Sequence, residues 1–246
     1  MHFDVVRHAS VTSTMDPAVA EAARGAPEGR VVVADHQTAG CGRRGHAWAS
    51  PPGAGLYLSL VLRPPPDASR GPLLSLLTLA MGVGVREGIE TATGLVPSLK
   101  WPNDLLVDRR KLAGILAEGS AIGAAEQGVV VGVGINVLPA TYGDGVDELA
   151  TSLEGELGRA VDREALLEAV LAGMGDAYVA LRSGRADDIL RRWRAGAPAA
   201  EGARVEWDAG GEVHAGVTAG IDDTGALLVR TPSGIERVIA GAVRWR

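Results

Sequence analysis

The sequence carries 24 basic side chains, of which only Lys100 and Lys111 are lysines, and both fall in the segment KWPNDLLVDRRK. A GC-rich coding bias accounts for an arginine-rich chain in general. An ammonium still differs from a guanidinium in reach, hydration and geometry, so a retained lysine marks a site that can reject the exchange. Lys111 opens the apolar run LAGIL, where its ammonium can point inward at an anion or outward to water. Asn103 and Asp104 follow Pro102 in the same segment. An Asp so placed can ligand Mg²⁺ together with waters and substrate phosphates. The alternative is an Asx-turn closed on its own backbone, the commoner outcome for a bare Pro-Asn-Asp.

A second candidate is Gly40-Cys41-Gly42-Arg43-Arg44-Gly45, which has the G-x-G-x-x-G spacing of a dinucleotide-binding turn. That turn must open a helix and be followed by an acidic residue about 20 positions on. Here the continuation is HAWASPPGAG, and no Asp or Glu lies between Asp35 and Asp67. The dinucleotide reading fails, and no P-loop pattern occurs. What remains is flexible backbone carrying Arg43 and Arg44 beside Trp48: close-approaching N–H groups and planar donors suited to a carboxylate or phosphate. A solvated loop with two ordinary arginines is the competing reading. The five histidines lack metal-ligand spacing, and a single cysteine, Cys41, excludes a zinc cluster. With His36 and His46 nearby, Cys41 reads as a plain loop cysteine rather than a nucleophile.

These segments need elements to hold them. A helix is expected from 13–17, with Asp16 as N-cap and Pro17 in its first turn, to about Gly25. Residues 30–36 and 56–62 read as buried strands, joined by a long loop over 37–55, and Leu73 to about Thr91 as a buried helix. Short strands are expected at 99–101, 105–107 and 112–116, with Arg109-Arg110 as the turn between the last two. A glycine-rich strand covers 128–137. Helices at 146–157, 162–182 and 187–195 lead to a linker, 196–202, and then four strands at 203–208, 212–219, 226–231 and 235–239.

With 246 residues, 46% hydrophobic and 22% charged, the chain can bury a real core and is neither disordered nor collagen-like. One cysteine, no leader-like apolar run near the start and no stretch of about 18 apolar residues point to a cytoplasmic protein without a membrane span. A net charge of −6 argues against a general nucleic-acid binder.

Read in order, Ser13-Thr14, Asp35-His36-Gln37-Thr38-Ala39-Gly40 running into Gly42-Arg43-Arg44-Gly45 and Trp48, Lys100-Trp101-Pro102-Asn103-Asp104, Lys111-Leu112-Ala113-Gly114-Ile115-Leu116 and Gly132-Val133-Gly134-Ile135-Asn136 resemble biotin protein ligases. The tail, GIDDTGALLV and then GAVRWR, resembles that family's small C-terminal domain. The resemblance implies an α+β fold: a mixed-sheet catalytic domain of the biotin/lipoate ligase type over 1–196, and an SH3-like β-barrel over 197–246. It implies that biotin and Mg-ATP form biotinyl-5′-AMP. A lysine on the biotin carboxyl carrier domain of an acyl-CoA carboxylase then attacks the mixed anhydride and releases AMP.

By the same resemblance Lys111 is the cation nearest both reacting anions, and Arg43 orders the loop over them. Ser13, Thr14 and Gln37 would bond biotin's ureido ring, with Met15, Gly40, Cys41, Gly42 and Gly114 along the same slot. Trp48 would cover adenine, Arg44, Asn103, Gly134 and Asn136 would complete the adenylate site, with Asn136 near the phosphates, and Asp104 would be the metal ligand. Arg246 could reach the site. The family's usual loop has Arg where this chain has Cys41. Many members carry an N-terminal DNA-binding domain for which no room precedes Ser13, so a ligase without repressor activity is expected, as a monomer or weak homodimer. The alternatives are a lipoate or octanoate protein ligase or transferase, and a biotin-binding module without turnover.

Overall fold

A computed structural model describes residues 1–65, 72–122, 126–142, 147–239, 241 and 243–246. The larger sheet contains β1 (Asp4–His8), β2 (Arg30–Ala34), β3 (Gly55–Leu62), β4 (Ser98–Lys100), β5 (Asp104–Val107), β6 (Arg110–Ile122) and β7 (Glu126–Asn136). Its seven strands run β1-β2-β3-β7-β6-β5-β4; β1 lies parallel to β2 and every other pairing is antiparallel.

Every residue of β3 is buried because helices cover both faces of the sheet. On one face α2 (Pro72–Thr93) and α4 (Arg163–Arg182) pack on Val31, Val33, Leu58 and Leu60 to form the main core. On the other, α1 (Met15–Ala23) sets Met15, Ala18 and Ala22 against Val32, Val61 and Val130. The alternation Val31–Val32–Val33 between the two cores is the period-two pleat of a strand. Beyond the end of α1 this second face is bare, and its floor is glycine: Gly114 pairs with Gly134 across β6 and β7, and Gly132 with Ser59 across β7 and β3.

The second sheet contains β8 (Glu201–Ala209), β9 (Glu212–Ile221), β10 (Leu227–Thr231), β11 (Gly234–Val238) and β12 (Val243–Trp245), ordered β11-β10-β9-β8-β12 and wholly antiparallel, an arrangement of the SH3-like type. It shares the main core through Val205, Trp207, Ile221 and Leu227. The buried Trp101 indole donates to the Gly225 carbonyl at 2.9 Å, tying this sheet to the lysine-bearing segment. No helix among the described residues is long and apolar enough to cross a membrane.

Several local expectations change. Thr14, not Asp16, precedes the first turn of α1, and Asp16 lies within it, where its charge meets the positive end of the helix dipole. The hairpin between β5 and β6 turns on Asp108 and Arg109, both at positive φ, rather than on Arg109-Arg110. This is the backbone a two-residue hairpin loop demands.

The 146–157 segment is not one helix; residue 146 lies outside the described residues. A single 3-10 turn, Asp147–Leu149, precedes α3 (Leu153–Leu157). Ser152 accepts the Gly155 N–H and so starts a new helix instead of continuing an old one. The 196–202 linker is built into the fold: α5 (Ala186–Gly196) leads to a 3-10 turn at Pro198–Ala200, with Ala197 and Ala200 buried. The edge strands β1 and β12 were not expected; both are short and half-exposed, so neither carries the apolar run that marks a strand.

Candidate active site

The bare end of the sheet, α1 and the glycine–arginine segment enclose a cleft of about 300 Å³. At its polar end Ser13 and Thr14 are buried at the start of α1. Gln37 Oε1 accepts from the Thr14 N–H at 2.8 Å and from Thr14 Oγ1 at 3.2 Å. Gln37 Nε2 donates to Ser50 Oγ at 2.8 Å, and Ser59 Oγ donates to Thr14 Oγ1 at 2.8 Å. Met15 closes this end, its sulfur resting on the glycine floor at Gly132.

The segment expected to be an irregular loop is a short hairpin-like lid. Trp48 N–H donates to the Gly40 carbonyl at 2.8 Å, Cys41 bridges to Ala47, and Gly42 N–H donates to the His46 carbonyl at 2.7 Å. A single 3-10 turn, Arg43–Gly45, forms the tip, with Arg44 at φ 57°. Gly40 lies beneath the base: a Cβ there would fall 2.5 Å from the Trp48 carbonyl oxygen and 2.8 Å from Ser50 Oγ. Side chains at this position are excluded by packing rather than by backbone angle.

Lys111 reaches the cleft because of a β-bulge. The β5–β6 register slips between Leu105 and Leu106, so Leu105 faces Ala113 while Leu106 faces Lys111. In a regular pleat residues 111 and 114 would point to opposite faces; the bulge re-aims Lys111. Its Nζ lies 3.3 Å from where a Gly114 Cβ would sit. There it meets Asp104 Oδ1 at 2.6 Å, as an ion pair without the alignment of a hydrogen bond, and stands 5.2 Å from the centre of the Trp48 ring. Asn103 clips this region together: its Nδ2 donates to the Ile115 carbonyl at 2.8 Å, and its Oδ1 accepts from Arg43 Nη1 at 3.2 Å.

Four cationic side chains, Arg43, Arg44, Lys100 and Lys111, thus line the cleft against one carboxylate, Asp104, among the described residues. Burial lowers the pKa of Arg43 below the usual guanidinium value, with Asp104 opposing and Arg44 adding to the fall. Burial likewise lowers Lys100, opposed by Asp104 and reinforced by Lys111. Crowded, partly dehydrated positive charge of this kind is relieved by a bound anion. Anion affinity should therefore weaken as the pH rises through the lowered pKa of Lys100, below the ordinary lysine value of about 10.4. In Lys100→Arg the charge persists, and the alkaline fall in carboxylate or nucleotide affinity should move to higher pH. Superimposable pH profiles would remove Lys100 from the site.

Most residues expected at the site meet here: Ser13, Thr14, Met15, Gln37, Cys41, Gly42, Arg43, Arg44, Trp48, Asn103, Asp104, Lys111, Gly114 and Gly134 all line this cleft. Gly40 packs beneath its lid. Asn136 differs. Buried on β7, it gives its Nδ2 to the carbonyls of Thr151 at 2.9 Å and Lys111 at 3.4 Å, so it braces the lysine's backbone. It lines an adjoining hollow of about 240 Å³ with Ala47, Trp48, Tyr142 and Leu149. Arg246 does not reach the site; it pairs with Glu206 at 2.6 Å, and Gly241, just before β12, and Val243, in it, line the cleft instead. Lys100 and Gly132, quoted in the motifs but given no role, line the cleft as well, whereas Ser50 and Ser59 carried no signal.

Among the described residues Asp104 offers a metal one carboxylate with no cluster of further ligands beside it. Asp104 is held by Lys111, and no group of three or more His, Cys, Asp or Glu side chains among the described residues could hold an ion. Mg²⁺ takes oxygen ligands, so waters and substrate phosphates would complete any shell begun at Asp104.

The Trp48 indole explains two glycines. It lies on the Gly114–Gly134 pair, where a Cβ on Gly134 would be 2.5 Å from its Cε2 and Nε1 and one on Gly114 3.0 Å from its Cζ3. Trp48 therefore forms the wall between the cleft and the second hollow.

Residues 8–136 match the model of the biotin/lipoate A/B protein ligase family, and 203–244 that of the biotin protein ligase C terminal domain. The chain is 34% identical over 241 residues to the bifunctional ligase/repressor BirA of Bacillus subtilis, covering 97% of this chain and 73% of that protein. It is 36% identical over 247 residues to the biotin--[acetyl-CoA-carboxylase] ligase of Mycobacterium tuberculosis, covering 98% and 87%. Among solved structures, the biotin protein ligase from Aquifex aeolicus in complex with biotin and ATP superposes with a TM-score of 0.85 at 27% identity over 99% of this chain and 98% of that one. A cleft that joins buried amide and hydroxyl groups to a cluster of cations, in a chain so matched along its length, belongs to the biotin/lipoate A/B protein ligase family.

Proposed function

We infer that the protein is a biotin–protein ligase that activates biotin with ATP and transfers it to a lysine of a carboxylase's biotin carrier domain. One observation carries the site assignment: a single cleft has hydrogen-bonding groups at one end, Thr14 and Gln37, and crowded cations at the other, Lys111, Lys100 and Arg43. Biotin has the matching polarity, with a neutral cyclic urea at one end and a carboxylate at the other.

The carboxylate and the ATP α-phosphate repel each other, and reaction requires them within attack distance. Lys111, fixed by its bulge and steered by Asp104, neutralises both and stabilises the charge that grows as the carboxylate oxygen attacks phosphorus and pyrophosphate leaves. Arg43, at the tip of the lid, adds a second fixed charge. The hollow beside Trp48, lined by Ala47, Leu149 and Tyr142, suits the adenine ring, with Asn136 bracing Lys111 beneath it. Mg²⁺ bound to the triphosphate would shield its charge. In the second half-reaction a carrier lysine attacks the acyl carbon of biotinyl-5′-AMP and AMP departs. The lid keeps water off the anhydride until then.

We read residues 1–196 as the catalytic unit and 197–246 as a unit that completes the cleft wall through Gly241 and Val243. The lone cysteine suits a cytoplasmic enzyme, one that works as a monomer or weak homodimer. Incubation with biotin, Mg-ATP and an isolated biotin carboxyl carrier domain should add one biotinyl group to a single carrier lysine, read by intact-mass spectrometry. Modification by lipoate or octanoate in place of biotin would move the protein to the other branch of the family.

A further inference from the structure

We propose that Ser50 is a positioning residue that fixes the orientation of the Gln37 carboxamide and thereby makes the polar end of the cleft selective for a ligand with urea-type N–H donors. The proposal rests on the biotin-ligase reading of this cleft.

Five groups form one directional chain. Ser59 Oγ donates to Thr14 Oγ1, which donates to Gln37 Oε1; Gln37 Nε2 donates to Ser50 Oγ, which donates to the Trp48 carbonyl oxygen at 3.3 Å. Its direction is dictated by backbone groups that cannot reverse. The Thr14 N–H, 2.8 Å from Oε1, is a donor only, so the carboxamide must turn its oxygen toward Thr14. The Trp48 carbonyl is an acceptor only, so the Ser50 proton points at it and the Ser50 lone pair faces Gln37. Ser50 and Gln37 are 6% and 9% exposed, and a Cβ on Gly40 would lie within 2.9 Å of both side chains.

The consequence is chemical selectivity. Oε1 is held facing the cleft as an acceptor, and its contact with Thr14 Oγ1 at 3.2 Å is the long one, which a ligand N–H can replace. A cyclic urea supplies such a donor; a dithiolane or an alkyl chain supplies none and gains nothing from this end of the cleft. Without the Ser50 hydroxyl, Nε2 becomes a buried donor with no partner, and the carboxamide must swing out of register to find one.

The test is steady-state ATP–pyrophosphate exchange by wild type and Ser50→Ala with biotin, desthiobiotin, lipoate and octanoate. Ser50→Ala should raise KM for biotin and for desthiobiotin about tenfold, the cost of one unsatisfied buried donor. KM for ATP should stay within about twofold, and the weak use of octanoate should not change, so the biotin-to-octanoate preference falls about tenfold. A merely structural role would depress all substrates together. Ser50→Cys, near-isosteric but a poor acceptor, should reproduce the loss even if the alanine variant does not fold. Ser50→Thr, which keeps the hydroxyl, should remain within about threefold of wild type. An unchanged KM for biotin in Ser50→Ala or Ser50→Cys, beside an active wild type, overturns the role of Ser50 alone. A wild type that exchanges with no urea-bearing acid overturns the reading of the cleft.

Discussion

Lys111→Gln should lower the single-turnover rate of biotinyl-5′-AMP formation about 10²–10³-fold, the usual effect of deleting one preorganised charge at an oxyanion. Gln keeps comparable reach and hydrogen-bonding ability and removes only the charge. The variant also leaves Asp104, which Lys111 meets at 2.6 Å, beside the incoming anions without its nearest counter-charge. Biotin binding should suffer far less, because Thr14, Gln37 and Ser13 at the other end of the cleft are untouched. Rapid-quench measurement at saturating substrates separates the two effects. An unaltered rate would mean that Lys111 is not the charge that joins the carboxylate to the phosphate. A wild type without turnover, and a variant that merely binds biotin less well, would describe a binding module.

Gly134→Ala should damage the nucleotide side of the site while leaving the fold intact. The added methyl would sit 2.5 Å from Cε2 and Nε1 of Trp48, well inside contact distance, so the indole must leave its seat. Gly134 is not among the positive-φ glycines, so alanine is acceptable to the backbone there, and a strand generally gains from the exchange. Displacing the ring forfeits its contact with Lys111 and its packing, together about 1–2 kcal/mol, or about five- to thirtyfold in KM for ATP. Because the Trp48 N–H and carbonyl also hold the base of the lid, free adenylate should appear in solution and label unrelated lysines. Thermal melting at or above the wild-type temperature, with raised KM for ATP and adenylate leakage, is the expected combination. A lower melting temperature with unchanged KM would mean that Gly134 serves the sheet and not the tryptophan.

Legibility in the sequence followed physical range. The buried strands and long helices announced themselves because β3 is apolar but for Ser59 and α4 keeps one face buried over its length. Lys111 was legible as a residue type in an unusual place, but its direction was not. That direction depends on a one-residue bulge against β5, a property of the pairing and not of the local run. The lid was legible as glycine and arginine and was taken for an irregular loop, because its three cross-bonds join residues whose types do not advertise pairing. Ser50 and Ser59 were invisible for a related reason. Each is an ordinary serine until Gln37 and Thr14, more than ten residues away in sequence, are brought to it. Asn136 was read toward the phosphates; that its Nδ2 also braces the carbonyls of Lys111 and Thr151 depends on tertiary contacts no local run displays.

Everything proposed for the cleft depends on an acid being activated there, and ATP–pyrophosphate exchange measures that step without any carrier protein. With purified protein, Mg²⁺ and ATP, exchange should be strong with biotin and at most weak with lipoate or octanoate. Exchange confined to lipoate or octanoate, or folded protein that exchanges with none of the three acids, would contradict it.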